Sequence, residues 1–136
     1  MSLLYQAAGF FTEGKITMVQ NSNIHYVEIN ITTKGFEFVG SSIAFTGINK
    51  DSSGFYTRIL WSDIRDIKKS KTRLIHVVII ETLDTFYTII PMDPLHKSSL
   101  GISSTKKHSM ELLATIYKAK AQVKQIEKSK DVFCSN

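Results

Sequence analysis

The stretch Arg73-Leu74-Ile75-His76-Val77-Val78-Ile79-Ile80-Glu81-Thr82, followed across Leu83-Asp84 by Thr85-Phe86-Tyr87-Thr88-Ile89-Ile90, decides the fold class. Both runs are dense in β-branched and aromatic side chains, which suit a pleated backbone and lose rotamer freedom in a helix. A connection this short joins antiparallel strands, because parallel neighbours need a crossover of about a dozen residues or more. The two runs are therefore expected to form a hairpin.

Upstream, His25 to Thr32 (HYVEINIT) alternates with period two: Tyr26, Glu28 and Asn30 fall on one face, Val27, Ile29 and Ile31 on the other. That is the pattern of a half-buried strand. Thr33-Lys34-Gly35 is a short connection with a glycine available for positive φ, and Phe36 to Gly40 resumes the alternation, so this pair reads as a second hairpin. Gly14 to Gln20 is the expected first strand, with Asn21-Ser22-Asn23 as its turn. Ile43 to Ile48 is a weaker strand, Asn49 to Gly54 an exposed loop and Phe55 to Trp61 a further strand. Ile64 and Ile67 flank a polar turn or short strand.

Downstream, Pro91 and Pro94 mark one joint, after which the period changes. Leu112, Leu113, Ile116, Ala119, Val123 and Ile126 recur at three- and four-residue intervals, the spacing of one helical face, with Ser103 or Ser104 as the cap. Six to seven short strands followed by one amphipathic helix give an α+β fold. The expected form is a bent antiparallel sheet, or partly open barrel, capped by the C-terminal helix. The chain of 136 residues fits one domain, with a core over about 14–128 and a polar tail over 129–136.

Composition supports a folded chain, at 43% hydrophobic and 21% charged residues. Cys134 is the single cysteine and cannot staple the fold to itself. Met1 to Phe11 lacks a basic leader and a cleavage site, and Met1-Ser2-Leu3 is given no functional weight. No stretch reaches the ~20 apolar residues of a membrane span. The expected location is cytoplasmic, with peripheral membrane attachment as the alternative.

The net charge of +5 is concentrated toward the C-terminus, where Lys97, Lys106, Lys107, Lys118, Lys120, Lys124, Lys128 and Lys130 face only Glu111 and Glu127. Candidate anion-binding residues are Lys68, Lys69, Lys71 and Arg73, at the handover between two strands, together with Lys106 and Lys107 and the stripe Lys120, Lys124 and Lys128. A solvated helix face and a soluble hairpin tip account for the same residues. His76 is a strand residue with no second ligand at metal spacing beside it. No catalytic residue, metal site or cofactor is expected: no nucleophile elbow or phosphate loop occurs, and Asp63 and Asp66 read as turn solvation or partners for Arg65 and Lys68.

Two segments carry a family resemblance. Val27-Glu28-Ile29-Asn30-Ile31-Thr32-Thr33-Lys34-Gly35-Phe36-Glu37-Phe38 resembles the GRAM and bacterial pleckstrin-homology-like pattern, in which a strand ending in Ile-Thr precedes a Lys-containing turn and an aromatic-x-Phe strand. Ile59 to Ile67 (ILWSDIRDI) is similar to a later element of the same families, although Leu60 stands where many relatives have proline. The Lys-Gly-Phe-Glu-Phe run is also similar to small bacterial proteins encoded with mannose phosphotransferase systems. The resemblance implies a non-enzymatic binding module in a superfamily that includes phosphoinositide readers and protein-docking domains. Headgroup readers cluster basic residues around the first hairpin, whereas Gln20-Asn21-Ser22-Asn23 has none. A protein-interaction or scaffolding role is the leading expectation, through a strand edge or the groove between helix and sheet, to a partner the residues do not identify. Anionic membrane lipid is the alternative, a homodimer through a sheet edge is compatible, and nucleic acid is disfavoured for want of a reader motif.

Overall fold

The computed structural model describes residues 2–14, 24–45, 48–51, 54–72, 75–92 and 102–134. In chain order the elements are β1 (Leu3–Glu13), β2 (His25–Thr32), β3 (Gly35–Gly40), β4 (Ser42–Phe45), β5 (Ile48–Asp51), β6 (Tyr56–Leu60), a 3-10 turn (Trp61–Asp63), β7 (Ile64–Thr72), β8 (Ile75–Thr82), β9 (Phe86–Met92) and α1 (Ile102–Cys134). Seven strands make one open antiparallel sheet in the order β6-β3-β2-β1-β9-β8-β7, and α1 packs on one face of it. β4 and β5 form a separate two-stranded hairpin.

The two hairpins read from the sequence form as antiparallel pairs. Val78 pairs with Ile89 and Ile80 with Tyr87, while Ile29 pairs with Phe38 and Ile31 with Phe36. The β2–β3 turn is held by Thr32, whose Oγ1 accepts from the backbone N–H groups of Lys34 and Gly35 and donates to the Gly35 carbonyl. Gly35 sits at φ 146°, the conformation its place in this turn requires.

Several expectations are corrected. The first strand is Leu3–Glu13, not Gly14–Gln20; residues 15–23 lie outside the described residues. β1 is flanked on both sides, by β2 and β9, and Ala8, Phe10 and Phe11 are buried, so the core reaches back ahead of Gly14. Where β1 is buried on both faces, from Ala8 to Thr12, it reads as a run without alternation. The segment Ile43 to Ile48 is the meeting of two strands, and Asn49 to Asp51 of the expected loop belongs to β5. Of the two readings for the segment at Ile64 and Ile67, turn or short strand, the strand holds, as the start of the nine-residue β7. Ser103 and Ser104 lie inside α1 rather than capping it, and its backbone stays helical through Cys134, so the expected polar tail is largely helix.

Curling of the sheet follows from its connectivity. Six strand spacings separate β6 from β7, about 29 Å in a flat sheet. Yet only Trp61–Asp63 intervene between Leu60 and Ile64, a span of at most about 14 Å. The two edges must approach one another at that end. The resulting inner face, toward α1, holds Phe11, Val27, Ile29, Ile31, Phe36, Phe38, Ile59, Ile67, Val78, Ile80 and Ile89 around Leu112, Ile116 and Ala119 of the helix. Each such fully buried aliphatic or aromatic side chain contributes about 1.5–3 kcal/mol. A smaller cluster on the outer face contains Ala8, Phe10, Tyr26, Val77 and Ile90. Gln122 Nε2 donates to Tyr5 Oη at 2.8 Å, tying the helix to β1.

Candidate functional site

Strand alternation divides the expected basic cluster. In β7, Ile67 is buried on the inner face with Val78 and Ile80, so Lys69 and Lys71 share that face and Lys68 takes the other. Lys68 forms an ion pair with Glu81, and that hydrogen bond and charge raise its pKa. The partner expected for it from the sequence, Asp66, instead accepts a hydrogen bond from the Ile67 backbone N–H. Lys71 stands opposite His76 in the β7–β8 register. Desolvation, and then the charges of Lys71, Lys106 and Lys69, lower the His76 pKa, so the first turns of α1 bring Lys106 to the same electropositive corner. Arg73 lies outside the described residues.

The other expected basic residues go elsewhere. Lys107 and His108 both face the Glu111 carboxylate, at 3.9 and 3.5 Å. Lys120 and Lys124 line a small groove of about 140 Å³ with Trp61, Ile64, Val123 and Glu127. Lys106 and Lys120 are fourteen residues apart on one helix, about 21 Å along its axis, so the two lysine groups form no common site. Lys128 is exposed one turn beyond Lys124. On the exposed side of α1, Met110, Ala114, Tyr117 and Ala121 follow one another at helical spacing. Among the described residues, no cluster of three or more His, Cys, Asp or Glu is placed to hold a metal ion, and no helix is long and apolar enough to cross a membrane.

The two sheet edges differ in kind. β7 carries Arg65, Asp66, Lys68, Lys69 and Lys71 along nine residues, the charge density that guards an edge against further pairing. β6 (Tyr-Thr-Arg-Ile-Leu) carries only Arg58. The Gly40 N–H donates to the Phe55 carbonyl, and the Trp61 N–H to the Lys34 carbonyl, at 2.8 and 3.1 Å. Odd-numbered residues of β6 therefore turn their backbone polar groups toward β3, and alternation directs those of Tyr56, Arg58 and Leu60 to the free edge.

An open cleft of about 660 Å³ borders this edge, running from Arg58 and Ile59 past Asp63 and Arg65 to the β8–β9 turn at Leu83 and Asp84. Leu60 and Leu83 are exposed, Leu83 to 75%. Thr82 and Thr85 close the turn, with the Thr82 N–H and Oγ1 donating to the Thr85 carbonyl at 2.9 and 3.0 Å. Trp61 fixes the other end by donating its indole N–H to the Thr32 carbonyl at 3.0 Å.

This edge combines the strand Phe55 to Trp61 with the connection Leu83-Asp84, both legible in the sequence as local features. Their approach across the open sheet is not local and carries no sequence signature. A second cleft, at Phe11, Glu13, His25, Phe55 and Tyr87, depends on the opening segment that composition alone gave no reason to weigh. Comparison of the chain with protein-family models, curated proteins and solved structures yields no match.

Proposed function

We propose that this chain is a non-enzymatic binding module that takes an extended segment of a partner protein along the free edge of β6. The carrying observation is the outward-facing backbone of Tyr56, Arg58 and Leu60 beside the cleft that ends at Leu83 and Asp84. An added strand would gain main-chain hydrogen bonds from the edge and apolar contact from the exposed Leu83. The guarded β7 edge directs such pairing to β6 alone. A curled open antiparallel sheet with one helix on its inner face is also what the pleckstrin-homology-like resemblance implies, and it supports a docking role over a chemical one.

Arg58→Pro removes an outward N–H while leaving the β3–β6 hydrogen bonds in place. Amide mapping by NMR during titration with an extended-peptide library is expected to show shifts along Tyr56–Leu60 that Arg58→Pro abolishes and Arg58→Ala retains. Shifts confined to α1 would refute strand addition. Concentration-dependent shifts at β6 without peptide would replace the partner with a second copy of this chain.

A second reading, peripheral binding to anionic lipid, is favoured by the approach of Lys69, Lys71 and Lys106 to one corner. Sedimentation with phosphatidylserine vesicles separates it: Lys69→Glu with Lys71→Glu should remove salt-sensitive binding, and Lys68→Glu, on the opposite face, should not.

A further inference from the structure

The inner face of the sheet has an open end away from the β6–β7 junction, and it is walled by aromatic rings. Register pairs Phe11 with His25 and Glu13 with Tyr87, placing all four on the inner face. Phe55 stacks on His25 with ring centroids 4.0 Å apart and 11° between planes, and lies 5.7 Å from Phe11. Tyr87 and Phe38 also stack on Phe11, at 5.3 and 4.3 Å, so Phe11 is a buried support for the outer rings. Together with Thr57 these residues line a cleft of about 580 Å³, within the size range of small-ligand sites.

Among the described lining residues Glu13 is the only carboxylate, and it forms no ion pair with another described residue. Glu81 and Glu111, by contrast, each face a cation. A lone carboxylate beside π faces, in a chain of net charge +5, creates a local electronegative pocket on a basic protein. Burial, and then the Glu13 charge, raise the Tyr87 pKa, so the field of that carboxylate reaches the ring.

We infer that this cleft is a binding site for an organic cation, with Glu13 as its counter-charge and the partly exposed rings of Phe55 and Tyr87 as its aromatic wall. An alkylammonium group satisfies both components: it gains Coulomb attraction from the carboxylate and cation–π attraction from the rings, and its weakly hydrated alkyl surface replaces water against them. A free small cation and the trimethylated or unmodified lysine side chain of a peptide share this chemistry. The site does not depend on strand addition at β6, although Tyr87 lines both clefts.

Titration of the whole chain with tetramethylammonium chloride, against sodium chloride at matched ionic strength, tests the site by NMR. Saturable shifts of the Phe55, His25 and Tyr87 ring resonances are expected, with the Trp61 indole as an unmoved reference. Glu13→Gln alters an exposed side chain and should leave amide dispersion intact while weakening binding about tenfold; Phe55→Leu should weaken it with the carboxylate retained. Ring shifts that sodium chloride reproduces, or a Glu13→Gln affinity equal to that of the parent, would overturn the assignment. In a parallel titration, a trimethyllysine tripeptide that binds more tightly than the free ion assigns the site to a side chain, and equal binding assigns it to a free cation.

Discussion

The α-carbon of Gly35 packs directly against the backbone of Ile59, across the β3–β6 pair. A methyl group on it would collide with the Ile59 carbonyl oxygen and stand 2.8 Å from the Leu60 α-carbon. The contact joins the β2–β3 turn to the edge strand beside the proposed docking cleft. Gly35→Ala combines this overlap with a φ of 146° that side chains rarely adopt. It is expected to lower unfolding free energy by about 2–4 kcal/mol in urea denaturation. A loss below about 0.5 kcal/mol would mean that β6 moves away without cost.

Ile116 and Tyr117 are neighbours on α1 with opposite fates, the first fully buried against the sheet and the second 52% exposed. Ile116→Ala should cost about 2–5 kcal/mol through lost burial and a residual cavity. Tyr117→Ala should stay within about 0.5 kcal/mol. Equal costs in chemical denaturation would show that the helix is docked on a different face.

Ser109 is fully buried on the inner side of α1, and its hydroxyl has no hydrogen-bond partner among the described residues. Burying an unsatisfied hydroxyl opposes folding, so Ser109→Ala should stabilise the protein by about 1 kcal/mol and raise its melting temperature. Destabilisation by this substitution would reveal a partner for the hydroxyl.

His76 is held below the ordinary histidine value of 6.5 by desolvation first and then by Lys71, Lys106 and Lys69. The unfolded chain therefore takes up this proton more readily than the folded one. Stability rises with pH between the folded-state value and about 6.5, and the contribution is fully lost below the folded-state value. Lys71→Ala should move the imidazole titration upward, as followed by its ring carbon-bound protons in NMR. An unmoved midpoint would show that the cross-strand lysine does not act on His76.

The local elements were legible because their signals are local. Alternation in His25–Thr32, the glycine after Thr33-Lys34, and the β-branched density of Ile75–Thr82 each report on a few consecutive residues whose side chains must divide between two faces. Of the expected helical face, Leu112, Ile116 and Ala119 are buried and Leu113 and Val123 half-buried, while Ile126 is exposed. Misreadings fell where burial is two-sided or charge outweighs apolar pattern: Ala8 to Thr12 of β1 is buried on both faces and shows no alternation, and β7 hides its full length beneath five charged residues at an exposed edge.

Sequence alone determined the α+β class, the two hairpins, the strand at Phe55 to Trp61 and the C-terminal helix, because backbone propensity and side-chain period act over a handful of residues. Tertiary structure alone decided that β1 joins the two hairpin halves through β2 and β9, that Lys68 and Lys69 lie on opposite faces, and that Glu13 meets Tyr87. Those relations depend on register and on the curling of the sheet. A one-residue shift in register exchanges the faces of a strand while leaving its composition unchanged, so the placement of charge around both clefts is a property of the assembled sheet.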